Sequence, residues 1–167
     1  MCQSRLIIAF IALVFGISAA RAQDYDQAEY DAVTQFILDV TSFEGMIHSV
    51  FDYCGSRAKS PIVEVAQQQW TRTNQKLLDD RQRAEQIYLG MMDGPEQAAE
   101  AAARLEAGLK TLFDNQRLND RLVKDLVDVE DQASACAKRL GVMNSDSMSF
   151  ARIAPESFAY WQARFAD

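Results

Sequence analysis

The sequence predicts an all-α fold: an up-down-up bundle of three long helices, closed by a short C-terminal helix and one disulfide. Three observations lead there. Apolar residues recur at intervals of three and four over most of residues 26–140. No stretch of useful length alternates apolar and polar residues as a half-buried strand would. Two cysteines, Cys54 and Cys136, stand near the ends of the first and third periodic segments.

The segment before the first helix reads as a secretory leader. Arg5 precedes the apolar run from Leu6 to Ile17, which is too short to span a bilayer core of about 30 Å. Small residues follow and end in Ala20-Arg21-Ala22, an A-x-A cleavage pattern. Residues 1–22 are therefore expected to be removed, leaving residues 23–167 as a single helical domain, exported to the periplasm or beyond. Cys2 precedes the apolar run and is expected to leave with the leader.

The first helix is expected from Asp26 to Tyr53. Val33, Phe36, Ile37, Val40, Phe43, Ile47, Val50, Phe51 and Cys54 form its apolar series, and Gly55 supplies a stop. Gly45 interrupts the middle at a cost of about 1 kcal/mol relative to alanine. The second helix is expected to open at Ser60-Pro61, with serine as N-cap and proline in the first turn. Ile62, Val65, Ala66, Trp70, Leu77, Ala84, Ile87, Tyr88 and Met91 would mark its buried side, before the turn at Asp93-Gly94-Pro95.

Pro95 is placed to begin a third helix reaching Leu140, with a seam of Leu105, Leu109, Leu112, Leu118, Leu122, Leu126, Val129, Ala133, Cys136 and Leu140. Spacing sustained over that length is typical of a coiled coil or a long bundle helix. The Ala98–Ala103 stretch is a strong helix former with little bulk, inviting close approach by a neighbour. Gly141 to Ala154 reads as loop, and Pro155 opens a last helix with Phe158, Trp161 and Phe165 on one side.

In an oxidising compartment the two remaining thiols have one intramolecular pairing available, Cys54 with Cys136. The bridge would close a loop of roughly 80 residues, worth about 4 to 5 kcal/mol in the chain-entropy account. Three sequential helices running up, down and up bring both cysteines to one end. The lengths conflict, however: the first helix covers about 42 Å to Cys54 and the third about 62 Å to Cys136. The third must overhang, kink or break, with Gly108 or Phe113–Gln116 as candidate places.

Much chemistry is disfavoured by composition. The formal charge is −7, and loss of Arg5 and Arg21 makes the domain two charges more acidic, a poor match for nucleic acid or anionic lipid. A charged partner would be basic. His48 is the sole histidine, preceded by Glu44 at four residues rather than three, so a di-iron bundle lacks its ligands. No C-x-x-C-H motif offers covalent haem attachment, and zinc would need several Cys or His ligands. Asp125, Asp128 and Asp131 could bind calcium only weakly without a glycine-bearing loop, and read instead as a solvated acidic face. Ser56 lies in no G-x-S-x-G. Glu44, Asp52 and Glu64 cannot be told from ordinary surface acids.

The expectation is thus a non-catalytic exported protein that binds another exported or envelope protein, with no cofactor, no metal, no nucleic acid and no stable membrane span. The alternatives are a small-molecule, haem or metal-binding bundle and, further off, a two-carboxylate cell-wall glycan hydrolase. Phe158, Trp161, Arg164 and Phe165 are the candidate partner-binding residues, because tryptophan, tyrosine and arginine are enriched at binding hot spots. The competing readings of this segment are a helix that closes the open side of the bundle and, disfavoured by the low count of basic residues, docking on a membrane surface.

Overall fold

The computed structural model describes residues 26–118 and 121–165, so the expected leader lies outside the described residues. Among those residues there are eight α-helices and no strands. None is long and apolar enough to cross a membrane.

Helix α1 spans Gln27–Ser56. Asp26 caps it, accepting a hydrogen bond of 2.8 Å from the Glu29 N–H. The apolar series read from the sequence is the core itself: Val33, Phe36, Ile37, Val40, Ile47, Val50 and Cys54 are wholly buried and Phe43 nearly so. Thr41, Ser49 and Tyr53 are buried as well, so α1 is enclosed around most of its circumference. The chain reverses only at Lys59, whose φ of 52° lies in the left-handed region.

The expected second helix is two. Helix α2 covers Val63–Thr73 and α3 covers Gln75–Gly90. Asn74 separates them: its backbone N–H and its side-chain Nδ2 both donate to the Trp70 carbonyl at 2.9 Å. An amide side chain that takes a helical carbonyl competes with the next turn of helix. The start also shifts. Ser60 is a buried turn residue rather than the N-cap, and Pro61 and Ile62 lie in the turn before Val63. The buried stripe becomes Val63, Ala66 and Trp70, leaving Ile62 and Val65 exposed.

The turn before α4 is as expected. Gly94 takes φ 89°, which a side chain would resist, and Pro95 begins α4, Pro95–Leu118. The third expected helix divides into α4, α5 (Arg121–Val127) and α6 (Gln132–Met143). Helix α4 runs unbroken through Gly108 and Phe113–Gln116. One break falls instead at 128–131, where Asp131 caps α6 by accepting from the Ser134 N–H and hydroxyl at 3.1 and 2.7 Å. The Ser134 hydroxyl, and then its N–H, hold the Asp131 carboxyl below its usual range. Its contribution is therefore complete above the ordinary carboxylate pKa and is lost as pH falls through the lowered value. The continuous coiled-coil seam ends at this break: Leu126 is buried, but Val129 and Ala133 face solvent. Helix α6 passes Gly141 and stops at Asn144, whose Nδ2 donates to Leu140 C=O (3.2 Å) and across to Ala66 C=O (3.3 Å) in α2.

Walls of α1 are set by specific pairs. Tyr30 meets Tyr88 with ring centroids 5.5 Å apart, and Glu44 meets Arg81 at 3.4 Å. A Cβ on Gly45 would lie 3.0 Å from the Phe113 carbonyl oxygen and 3.1 Å from Gln116 Cβ. Helix α4 therefore approaches α1 closely at Gly45, whereas of Ala98–Ala103 only Ala101 is buried. Tyr53 Oη donates to Leu126 C=O at 3.2 Å. Cys54 and Cys136, both wholly buried, are joined in a disulfide 82 residues apart.

Two measurements check this frame by urea denaturation. Gly45→Val is expected to lose about 1 to 3 kcal/mol, because the added methyls meet backbone rather than a flexible side chain. Replacing both Cys54 and Cys136 by alanine is expected to lose about 4 to 5 kcal/mol, with an unchanged fold by circular dichroism. A loss under about 1 kcal/mol in either case would contradict the packing described.

Candidate functional site

The C-terminal segment follows a short connection. Asn144 ends α6, Asp146–Met148 form a single 3₁₀ turn, and Ser149 is extended. Helix α7 is only Phe150–Ile153, and Ala154 turns the chain into α8, Pro155–Arg164, with proline in its first turn. The expected loop over 141–154 is thus partly helical, whereas the Pro155 start is as read.

Three contacts seat α8 on α1, in reverse chain order. Ser157 Oγ donates to the Asp39 carboxylate. Trp161 stacks on Phe36, centroids 4.4 Å apart and rings tilted by 8°. Arg164 Nε donates to Glu29 Oε1 at 2.7 Å. Phe150 closes the cluster edge-on to Phe36 at 5.8 Å and against Phe43 at 5.7 Å. Offset and edge-on aromatic pairs add about 0.5 to 1.5 kcal/mol each beyond the area they bury.

The four candidate partner-binding residues therefore differ in role. Trp161 is wholly buried and its indole N–H has no hydrogen-bond partner among the described residues, so in this state its ring is withheld from any partner. Phe158 and Phe165 are half-buried. The Arg164 side chain is half-exposed, tied to Glu29 and placed over the Phe165 ring at 5.6 Å. Sequence reasoning passed over two neighbours: Ile153, 46% exposed, and Tyr160, half-buried with its ring 6.3 Å from Phe165. Burial and then the Glu29 charge push the Tyr160 phenol above its usual pKa, partly offset by Arg164. Both lie in the aromatic C-terminal segment, Phe150 to Phe165, but only the fold shows which of its side chains are buried.

Among the described residues the other groups singled out from the sequence lie in separate settings. His48 is half-buried against the rings of Phe113, Phe51 and Trp70, at 5.5, 5.7 and 6.4 Å. The Ser56 hydroxyl donates to the Asp52 carbonyl in its own helix. Asp125 pairs with Arg139 at 3.3 Å and Asp131 serves as a cap. Among the described residues no three His, Cys, Asp or Glu side chains converge as metal ligands. An open groove of about 590 Å³ runs along the outer face of α2, lined by Glu64, Gln67, Gln68, Thr71, Arg72 and Gln75. All six lining residues are polar or charged types, and none brings an aromatic or aliphatic side chain.

No protein-family model matches the chain, and neither a curated protein nor a solved structure matches it.

Trp161→Ala is expected to lose about 3 to 5 kcal/mol of stability in thermal or urea denaturation. Trp161→Phe is expected to lose less than about 1.5 kcal/mol, because it keeps a ring on Phe36 and removes the unpaired donor. Equal losses for the two would show that the stack is not what holds α8.

Proposed function

We propose that the chain is an exported, non-catalytic protein-binding module whose partner docks on the outer side of the C-terminal segment. The observation that carries this reading is the division of aromatic residues there. Trp161 is buried in the core, Phe158 and Phe165 are half-buried against it, and Tyr160, Ile153 and Arg164 keep part of their side chains open to solvent. Rings held in place before binding lose little side-chain freedom on contact, so more of their burial appears as affinity. The net charge of −7 favours a basic partner surface around this apolar centre.

The same proposal includes the up-down-up course of the three long stretches. It is supported by the antiparallel order of the Tyr30–Tyr88 and Glu44–Arg81 pairs, and by the parallel order of the Gly45–Phe113 and Tyr53–Leu126 pairs. Export is supported by the Cys54–Cys136 bridge, which persists in oxidising compartments.

The test uses the mature protein as bait in its own compartment, followed by titration of the captured partner. Phe165→Ala and Ile153→Asp should each weaken binding at least about tenfold while leaving the circular dichroism spectrum intact. A Gln68→Ala change in the polar α2 groove should have no effect. Full binding by both C-terminal variants, with loss in the groove variant, would move the surface to α2.

A further inference from the structure

We propose that Phe150–Phe165 is an exchangeable arm, and that its seat on α1 accepts the same segment from a second copy of this chain. Two features make the arm separable. First, α8 packs along α1 and its own neighbour α7 and lies against no other long helix, so among the described residues its seat belongs to one helix. Second, it is joined to α6 through Asn144–Ser149, a stretch of turn and single 3₁₀ turn with extended backbone at Ser145 and Ser149.

The seat is specific. Positions 29, 36 and 39 of α1 receive Arg164, Trp161 and Ser157 in order, as an ion pair, a ring stack and a hydrogen bond. Every one of these contacts can be remade by the arm of another copy, with the chain's own arm seated on the partner in return. Such reciprocal exchange needs no new interface, so connector geometry and protein concentration decide between the closed monomer and the exchanged dimer. The unpaired Trp161 indole N–H regains water whenever the arm lifts, which lowers the cost of opening.

The experiment uses full-length mature chains. Asp39→Cys and Ser157→Cys are made in separate chains, mixed at high concentration and oxidised. The two thiols are held together when the arm of one chain sits on α1 of the other, and otherwise meet only by random encounter. The expected result is a covalent mixed dimer, with far less dimer when Ser157→Cys is replaced by Glu156→Cys on an exposed site of α8. A chain carrying both Asp39→Cys and Ser157→Cys, oxidised while dilute, locks its own arm. It should stay monomeric by light scattering at concentrations where the unmodified chain forms dimers. The proposal is overturned if the unmodified chain remains monomeric throughout. It is equally overturned if the Glu156→Cys control cross-links as well, or if the locked chain dimerises like the unmodified one.

Discussion

A helix with apolar residues on only one stripe needs a single neighbour; α1 carries them nearly all round and needs several. That requirement organises everything else. Helix α3 covers it through Ala84 and the Tyr88 ring, α4 crosses it at Gly45, α5 and α6 close its far end, and α7 and α8 lie over Phe36 and Phe43. The coverings touch α1 more than they touch one another. Their order and spacing follow from which ring or small residue each finds on the central helix.

This explains which parts of the fold were legible in the amino-acid order. The core series of α1 could be read residue by residue, because its apolar positions outnumber the narrow polar face of Gln27, Asp31, Gln35 and Asp52 and leave one phase for burial. The start of α2 could not. Ile62 and Val65 are as apolar as Val63 and Ala66, and the choice between the two phases is made by the reversal at Lys59, a residue with no sequence preference for positive φ. The helix breaks were legible as a need and not as places. The length mismatch between first and third segments required an interruption, but glycine was the wrong indicator. Gly108 sits within α4 with open space around it, whereas side chains that bind backbone groups, Asn74, Asp131 and Asn144, make the stops.

The same reasoning applies to the C-terminal segment. Its aromatic density was evident, and Pro155 marked where the helix opens. Which ring turns inward depends on Phe36, more than a hundred residues earlier, and no local pattern carries that information. Gly45 is the converse case. Read along its helix it is a local cost, but the Phe113 carbonyl makes it the residue that lets α4 lie close. His48 likewise has a polar identity and an aromatic setting, supplied by α2 and α4 together with its own helix.

The position of the covalent bridge has a mechanical meaning. Tension applied outside Cys54 and Cys136 cannot straighten the chain between them, a sequence separation of 82, which withholds roughly 270 to 300 Å of contour from the stretched chain. What can be drawn out is α1 on one side and the terminal helices on the other. A pulled molecule would therefore lose its axle first, while the surrounding staves stay roped together at one rim, ready to close again when the load is released.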